Sequence, residues 1–476
     1  MKTRIAPSPT GDPHVGTAYQ ALYNYVFAKQ HGGAFIVRIE DTDRARFNPE
    51  SQTRILEMLT WLSLQPDESP VVGGPSAPYI QTERAALHQG YAAALLESGA
   101  AYRAFDTAAE LEQRRKASEA AKSSYRGYDR RDRDLPQAES DARATAGEPF
   151  VVRLKAPLEG SVVVKDVLRG DVVFQASELD DKVLLKADGL PTYHLAAMCD
   201  DHDMGVTHVI RGDDHLNNAF RQLPIIRAMN ALEGHWPDPV YAHIPLIHGS
   251  DGAKLSKRHG ALGVEAYHDE FGILPEALFN YLLRLGWGHG DREEITRDEA
   301  VELFDLGGVG KSPSRFDMKK LESLNGHYLR EADDARLAAL VATRIGDDAD
   351  EALLTQAMPV LKVRAKNLNE VVEGAGFLFA KRPIEMTEKA AQLLEGDAGV
   401  ILRKIHAGLA GENDWTSEAL EATTKALAEE LGLGLGKLAQ PMRAALTGTT
   451  TSPGIFDVLV LLGRDEALAR LDAQAA

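Results

Sequence analysis

The chain has 476 residues, 44% hydrophobic and 26% charged, the balance of an ordinary soluble globular protein. That length is too great for one core and leaves room for about three to five domains of ~100–150 residues. Its net charge of −18 argues against a uniformly basic nucleic-acid surface, so any phosphate binding must be local. The single cysteine, Cys199, excludes a disulfide scaffold and a multi-cysteine zinc site.

Residues 3–8 read as a short strand entering a Pro/Gly turn, followed by a helix from Val15 to Gln30 that Gly32-Gly33 ends. Ala34 to Glu40 is a near-continuous apolar run of strand length, as in a buried parallel strand. Asn48 and Pro49 then stand as N-cap and first residue of a helix with Ile55, Leu59 and Leu62 on one face. This alternation predicts an α/β fold, a doubly wound nucleotide-binding domain over 1–80. A helix from about Thr82 to Ser98 follows, stopping at Gly99.

The stretch from Arg103 to Arg133 carries nine Lys/Arg against six Asp/Glu, with Tyr102, Phe105, Tyr125 and Tyr128 interleaved. Two readings stay open there: a surface that stacks on bases, or a solvated mixed-charge helical face. Strand-like segments around Val151, Val163, Val173 and Leu184 complete an expected α+β insertion over 81–189. The nucleotide fold then resumes over 190–248, through Pro191–Leu195, Val209–Arg211 and His243–Ile247. Pro275 to Leu285 is a helix with Leu278, Leu282 and Leu285 in one stripe. From about 326 to 476 the chain is rich in Ala, Leu and Glu and reads as all-helical, leaving 249–325 as a connecting domain.

Two short strings carry chemistry. His14-Val15-Gly16-Thr17 sits at a strand-to-helix turn, where free backbone N–H groups and the helix N-terminus favour phosphate. Gly16 would let a nucleotide base approach the backbone, and His14 could hydrogen-bond a phosphate oxygen. Lys254-Leu255-Ser256-Lys257-Arg258 follows a Gly249-Ser250-Asp251-Gly252 turn. Its two lysines suit the β- and γ-phosphates, and Ser256 could cap a phosphate or a helix. Either string alone is weak; His31-Gly32-Gly33 fits the first pattern with no chemistry attached.

Together with Arg4–Gly11, Arg38-Ile39-Glu40-Asp41-Thr42-Asp43, Pro191–Ala196, Asp200-Asp201-His202, Arg211-Gly212-Asp213-Asp214-His215 and Gly434–Arg443, they make the chain resemble the bacterial glutamyl-tRNA synthetases, class I aminoacyl-tRNA synthetases. The resemblance covers nearly the whole chain. It implies a ligase that activates L-glutamate with ATP and Mg²⁺ and transfers it to tRNA. His14, Gly16, Lys254 and Lys257 would be catalytic, and with Asp214, Ile247 and Ser256 would bind ATP.

For glutamate, the resemblance has Arg4 and Arg211 pair with the carboxylates, Tyr193 hydrogen-bond the side-chain carboxylate and Glu40 hold the α-ammonium. Ala6 and Ser8 would line the pocket. Ala197 stands where relatives carry a polar residue, so a contact there would be lost or made by backbone. The insertion would grip the tRNA acceptor end, 249–325 would contact the stem, and 326–476 would hold the anticodon, with Arg364 the candidate reader of its last base. The insertion lacks cysteine, so no structural zinc is expected. A cytoplasmic monomer with no membrane partner is expected, since no signal-peptide core or run of ~18 apolar residues is present.

Glutaminyl-tRNA synthetase is the sister reading, opposed by the helical tail. A truncated tRNA-base-modifying relative or a small-molecule nucleotidyltransferase would not need that tail. A non-catalytic tRNA-binding paralogue should have lost His14, Glu40 or Lys257, and all three are present.

Overall fold

In the computed structural model of the chain, which describes residues 1–120, 127–249, 251–253, 255 and 262–475, the chain divides into two units. The first comprises Met1–Tyr267 with Leu278–Asp317, the second His268–Ala277 with Met318–Ala476.

The first unit opens with β1 (Lys2–Ile5), α1 (Val15–Gln30), β2 (Ala34–Val37) and α2 (Pro49–Trp61). Strands β1 and β2 pair in parallel, Lys2 opposite Ala34 through Ile5 opposite Val37. The punctuation read from sequence sets the boundaries. Gly32 takes φ +60° just past α1, and the Asn48 side chain accepts from the Glu50 amide at the start of α2.

After α3 (Ala85–Glu97) come β3 (Ala101–Ala104), α4 (Ala108–Ala120), α5 (Gln137–Thr145), β4 (Val151–Leu154), β5 (Ser161–Asp166), β6 (Gly170–Gln175) and β7 (Val183–Leu185). They do not form one sheet. Strands β3, β4 and β7 make an antiparallel sheet, in that order. The β5–β6 hairpin instead joins β8 (His208–Gly212) and β9 (Val240–Ile244) in the order β6-β5-β9-β8, with Asp166 opposite Tyr241. Strand pairing therefore does not follow the expected division at 81 and 189: part of the presumed insertion completes the nucleotide-side sheet.

The parallel β1–β2 pair and the mixed four-stranded sheet are tied where the Thr207 amide donates to the Lys2 carbonyl. Buried Asn24 of α1 crosses between them, accepting from Thr3 Oγ1 through its carbonyl and donating from Nδ2 to the Ile210 carbonyl. Pro191–Leu195, read with the sheet elements, is instead the entry to helix α6 (Tyr193–Asp203). Helix α7 (Leu216–Glu233) ends at Gly234, φ +74°. The unit also holds β10 (Ile247–His248) paired with β11 (Ser314–Arg315), and α10 (Arg297–Leu303); α8 (Val264–Asp269) and α9 (Pro275–Gly286) each cross a boundary between the units.

The interleaved aromatics of the basic stretch are core residues. Tyr102, Phe105 and Tyr128 are buried, Tyr128 packs under Arg153, and several of the described basic side chains are paired: Arg114 with Asp106, Arg115 with Glu112 and Glu119, Arg130 and Arg133 with Asp181. The base-stacking reading fails for these three rings; Tyr125 lies outside the described residues.

In the second unit, helices α11 (Met318–Glu331), α12 (Asp334–Ile345), α13 (Glu351–Leu361), α14 (Leu368–Phe379), α15 (Glu388–Gln392), α16 (Ala398–Ala410), α17 (Ser417–Glu430), α18 (Leu435–Thr447) and α19 (Ile455–Ala473) follow one another without a described strand. Asp333, Asp350, Asn367, Thr387 and Thr416 cap the helices that follow them. Buried Arg470 donates to the Phe377, Ala380 and Leu446 carbonyls, closing helix ends that would otherwise be unsatisfied.

Candidate active site

A cleft of about 920 Å³ opens at the carboxyl ends of β1, β2 and β8, where ligands bind in open α/β sheets. Past β1 and β2 the two chains stay parallel, with the Arg38 amide donating to Ile5 and the Glu40 amide to Pro7. This brings Arg4, Ala6, Ser8 and Glu40 to one wall. Tyr193 from α6 and Arg211 from β8 stand on the other, and Thr42, Asp43, Arg44, Arg46, Lys186, His215 and Asn218 are among the further lining residues.

Behind this wall lies a buried charge network. Arg38, with no exposed surface, reaches Asp201 at 2.7 Å and Glu40 at 3.1 Å. Arg4 holds the same Asp201 side-on, Nε to Oδ1 at 3.1 Å and Nη2 to Oδ2 at 2.9 Å. Asp200 takes Arg84 at 2.6 Å, His88 at 2.7 Å and Gln81 at 2.9 Å. Each carboxylate here must have partners, because an unpaired buried charge is costly.

Their titrations differ accordingly. Burial acts to raise Asp200, yet His88 and Arg38 prevail and hold it at about 2. Burial likewise opposes Arg4 and Arg38 at Asp201, and the arginines win, lowering it. Glu40 goes the other way: burial outweighs Arg38 and Arg4, and its pKa is raised. Glu40 is thus the carboxylate short of positive partners, and it faces the cleft.

Arg211 is held at three points, Nε to His243 Nε2 at 3.1 Å, Nη2 to Gln222 Oε1 at 3.0 Å and Nη1 to the Tyr193 hydroxyl at 3.2 Å. His215 adjoins it, and burial, with Arg211 next in weight, lowers His215 to about 4, so it is neutral at physiological pH.

A second cavity of about 220 Å³ shares Thr17, Gln20 and His215 with the cleft and is lined also by His14, Gly16, Asp214, Leu246 and Ile247. His14 is the N-cap of α1, its Nδ1 accepting from the Gly16 amide at 3.0 Å. A Cβ on Gly16 would stand 2.7 Å from the His14 ring, so with the histidine folded back onto the Gly16 amide only glycine fits there without a shift. Gly212 is similarly pressed, 2.7 Å from Asp214 Oδ1.

Lys254, Ser256 and Lys257 lie outside the described residues. Leu255, between Lys254 and Ser256, lines the second cavity and donates its amide to Ile247, and beyond the string the Val264 amide donates to Pro13 beside His14.

The expected site residues thus fall in several places. Arg4, Ala6, Ser8, Glu40, Tyr193 and Arg211 share the cleft, and His14, Gly16, Asp214 and Ile247 share the adjoining cavity. Ala197 does not join them. It is buried in the apolar core among Leu195, Met198 and Phe220, on a side of α6 that the cleft does not reach. Arg364 is exposed in the second unit, following α13 and near enough to Arg443 to oppose its charge. Sequence reasoning missed Arg84, His88, Gln222, His243 and the wall residues Gln20, Lys186 and Asn218; of the residues around Arg211 it named Tyr193 as a site residue and His215 only within a motif.

The chain matches the family model for class I tRNA synthetases (E and Q), catalytic domain, over residues 1–323 and that for an anticodon binding domain over 334–475. It is 65% identical over 473 residues to glutamate–tRNA ligase 1 of Erythrobacter litoralis, covering 99% of this chain and 95% of that protein. The chain belongs to the class I glutamyl-tRNA synthetase family. A glutamate–tRNA ligase 2 of Novosphingobium aromaticivorans is 58% identical, covering 100% of this chain and 96% of that one. Among solved structures, the glutamate–tRNA ligase of Elizabethkingia meningosepticum, in complex with its amino acid, superposes with a TM-score of 0.88. The two are 34% identical, with 100% of this chain and 99% of that one covered. The α/β catalytic region followed by helices is the architecture of that synthetase family, and no described helix is long and apolar enough to cross a membrane.

Proposed function

We propose that this chain activates L-glutamate with ATP and transfers it to the 3′ end of its cognate tRNA. The observation that carries this reading is the adjacency of the two cavities: one with Arg4, Arg211, Tyr193 and the under-compensated Glu40 carboxylate in its lining, the other with a helix N-terminus and the HVGT string. Family membership supports it.

Arg211 and the Tyr193 hydroxyl take the side-chain carboxylate of glutamate; guanidinium suits that planar, bidentate task better than ammonium. Glu40 takes the α-ammonium, which supplies the positive partner its burial leaves wanting. Arg4, with Nε and Nη2 committed to Asp201, serves the α-carboxylate through Nη1.

MgATP enters as substrate, its adenosine against Asp214 and Ile247 and its phosphates toward His14 and the start of α1. An α-carboxylate oxygen attacks the α-phosphorus, the bond to the bridging oxygen breaks, and pyrophosphate leaves. Lys254 and Lys257 neutralise the leaving group and Ser256 supports it, a role argued from the sequence string. A ribose hydroxyl of the terminal tRNA nucleotide then attacks the mixed anhydride, and AMP departs.

The segment 81–189 binds the acceptor end, 249–325 the stem and 326–476 the anticodon. Arg364 reads the last anticodon base; comparing charging of glutamate and glutamine tRNAs by the wild type and Arg364→Gln tests this, and unchanged selectivity refutes it.

Charging of purified glutamate tRNA with radiolabelled glutamate and, separately, glutamine tests the main reading. Incorporation of glutamate alone is expected. A folded protein that binds tRNA and incorporates neither would be a tRNA-binding paralogue instead.

A further inference from the structure

Away from the cleft, the end of α6 meets the end of α7. His202 is the penultimate residue of α6, Glu233 the last of α7, and the left-handed Gly234 folds His235 and Trp236 back over the junction. The imidazoles of His202 and His235 and the Glu233 carboxylate each offer one ligand atom, all within 4.8 Å of one another.

We propose that His202, Glu233 and His235 form a binding site for a divalent late first-row cation, zinc foremost. Two imidazoles and one carboxylate are a donor set zinc accepts, leaving a fourth position for water. With metal–ligand bonds of about 2.1 Å, a tetrahedral edge is roughly 3.4 Å. His235 Nε2 and Glu233 Oε2 already stand 3.6 Å apart.

Hydrogen bonds orient two of the donors and ring stacking holds the third. His235 Nδ1 lies 2.9 Å from the Glu233 carbonyl, which puts the ring hydrogen there and leaves the Nε2 lone pair toward the carboxylate. Trp236 Nε1 donates to Glu233 Oε2 at 2.6 Å, fixing that carboxylate. The His202 ring lies flat on Trp236, centroids 3.9 Å apart and planes 5° from parallel. A cavity of about 240 Å³ lined by His202, His235, Trp236 and Gly205 leaves room for water at the open position.

The expectation of no structural zinc rested on the missing cysteines of 81–189; this site needs none and lies on other elements. Its ion would pin the end of the helix that carries Asp200 and Asp201.

Untagged, metal-free full-length protein titrated with Zn²⁺ against a chromophoric competitor should take up one tight equivalent. His202→Asn and His235→Gln should each weaken it more than tenfold. Trp236→Phe keeps the ring but removes the indole N–H and should weaken it roughly 10- to 100-fold. Zinc should raise the thermal midpoint of the wild type and not that of His202→Asn. No saturable equivalent in the wild type, or equal affinity in wild type and all three variants, overturns the assignment.

Discussion

His243 Nε2 accepts a hydrogen bond from Arg211 Nε at 3.1 Å, and this single contact fixes the histidine's tautomer. A guanidinium only donates, so the ring hydrogen must be on Nδ1, where Asp166 Oδ2 receives it at 2.7 Å. Asp166, His243 and Arg211 thus form a chain that aims one guanidinium at the cleft.

Burial, aided by Arg211 and resisted by Asp166, lowers the His243 pKa, so the neutral ring persists on the acid side of the ordinary histidine range. A depressed histidine supports the folded arrangement above its unfolded pKa and loses that support as pH falls through its folded one. KM for glutamate should therefore rise at acidic pH, with kcat less affected. His243→Ala, which removes the acceptor, should raise KM roughly tenfold at neutral pH and abolish that acid limb. A KM equal to wild type across the range would show that the histidine does not position Arg211.

Glu40 should separate stability from binding. Its folded pKa is raised, so its contribution to stability is fully present below the unfolded value and lost as pH rises through the folded one. Where it is ionised, the group therefore costs stability relative to its neutral form. Glu40→Gln, whose carbonyl still accepts from Arg38, should melt no lower than wild type while raising KM for glutamate roughly 10- to 100-fold. A large fall in the thermal midpoint, or an unchanged KM, would remove Glu40 from the ammonium site.

Lys257→Ala addresses the pyrophosphate side. If Lys257 stabilises charge on the leaving group, kcat for adenylate formation should fall roughly 10²–10³-fold, as when one preorganised donor is lost elsewhere, with the melting point unchanged. A loss under about tenfold would make that lysine a bystander.

Much of the catalytic fold was legible because its signals are local. Val15–Gln30 and the Asn48-Pro49 start are set by caps and by Gly32, which act over a few residues. The strand expected to run from Ala34 to Glu40 is regular only to Val37; beyond it the Arg38 and Glu40 amides still donate to Ile5 and Pro7 while their side chains join the charge network. Helix α6 was not legible as a helix: Leu195 through Asp201 are all buried, so no apolar–polar period shows. Arg84 and His88 carry no local signal either, since Asp200 lies 116 and 112 residues away. The β5–β6 hairpin was legible as strands but not as part of the nucleotide-side sheet, because its link is the distant pairing of Asp166 with Tyr241. Cleft residues matched by motif came together, while Ala197, placed by analogy of position alone, fell into the core.

Reading of the amino acid's side-chain carboxylate by Arg211, held by His243, Gln222 and Tyr193, is the proposed role on which specificity for glutamate turns. It is tested most directly by kcat/KM for glutamate and for glutamine in wild type and Arg211→Gln, measured by pyrophosphate exchange with tRNA present. A fall of roughly 10²–10³-fold for glutamate, with most of the discrimination against glutamine lost, is the predicted result. A glutamate-to-glutamine ratio unchanged by the substitution would contradict it.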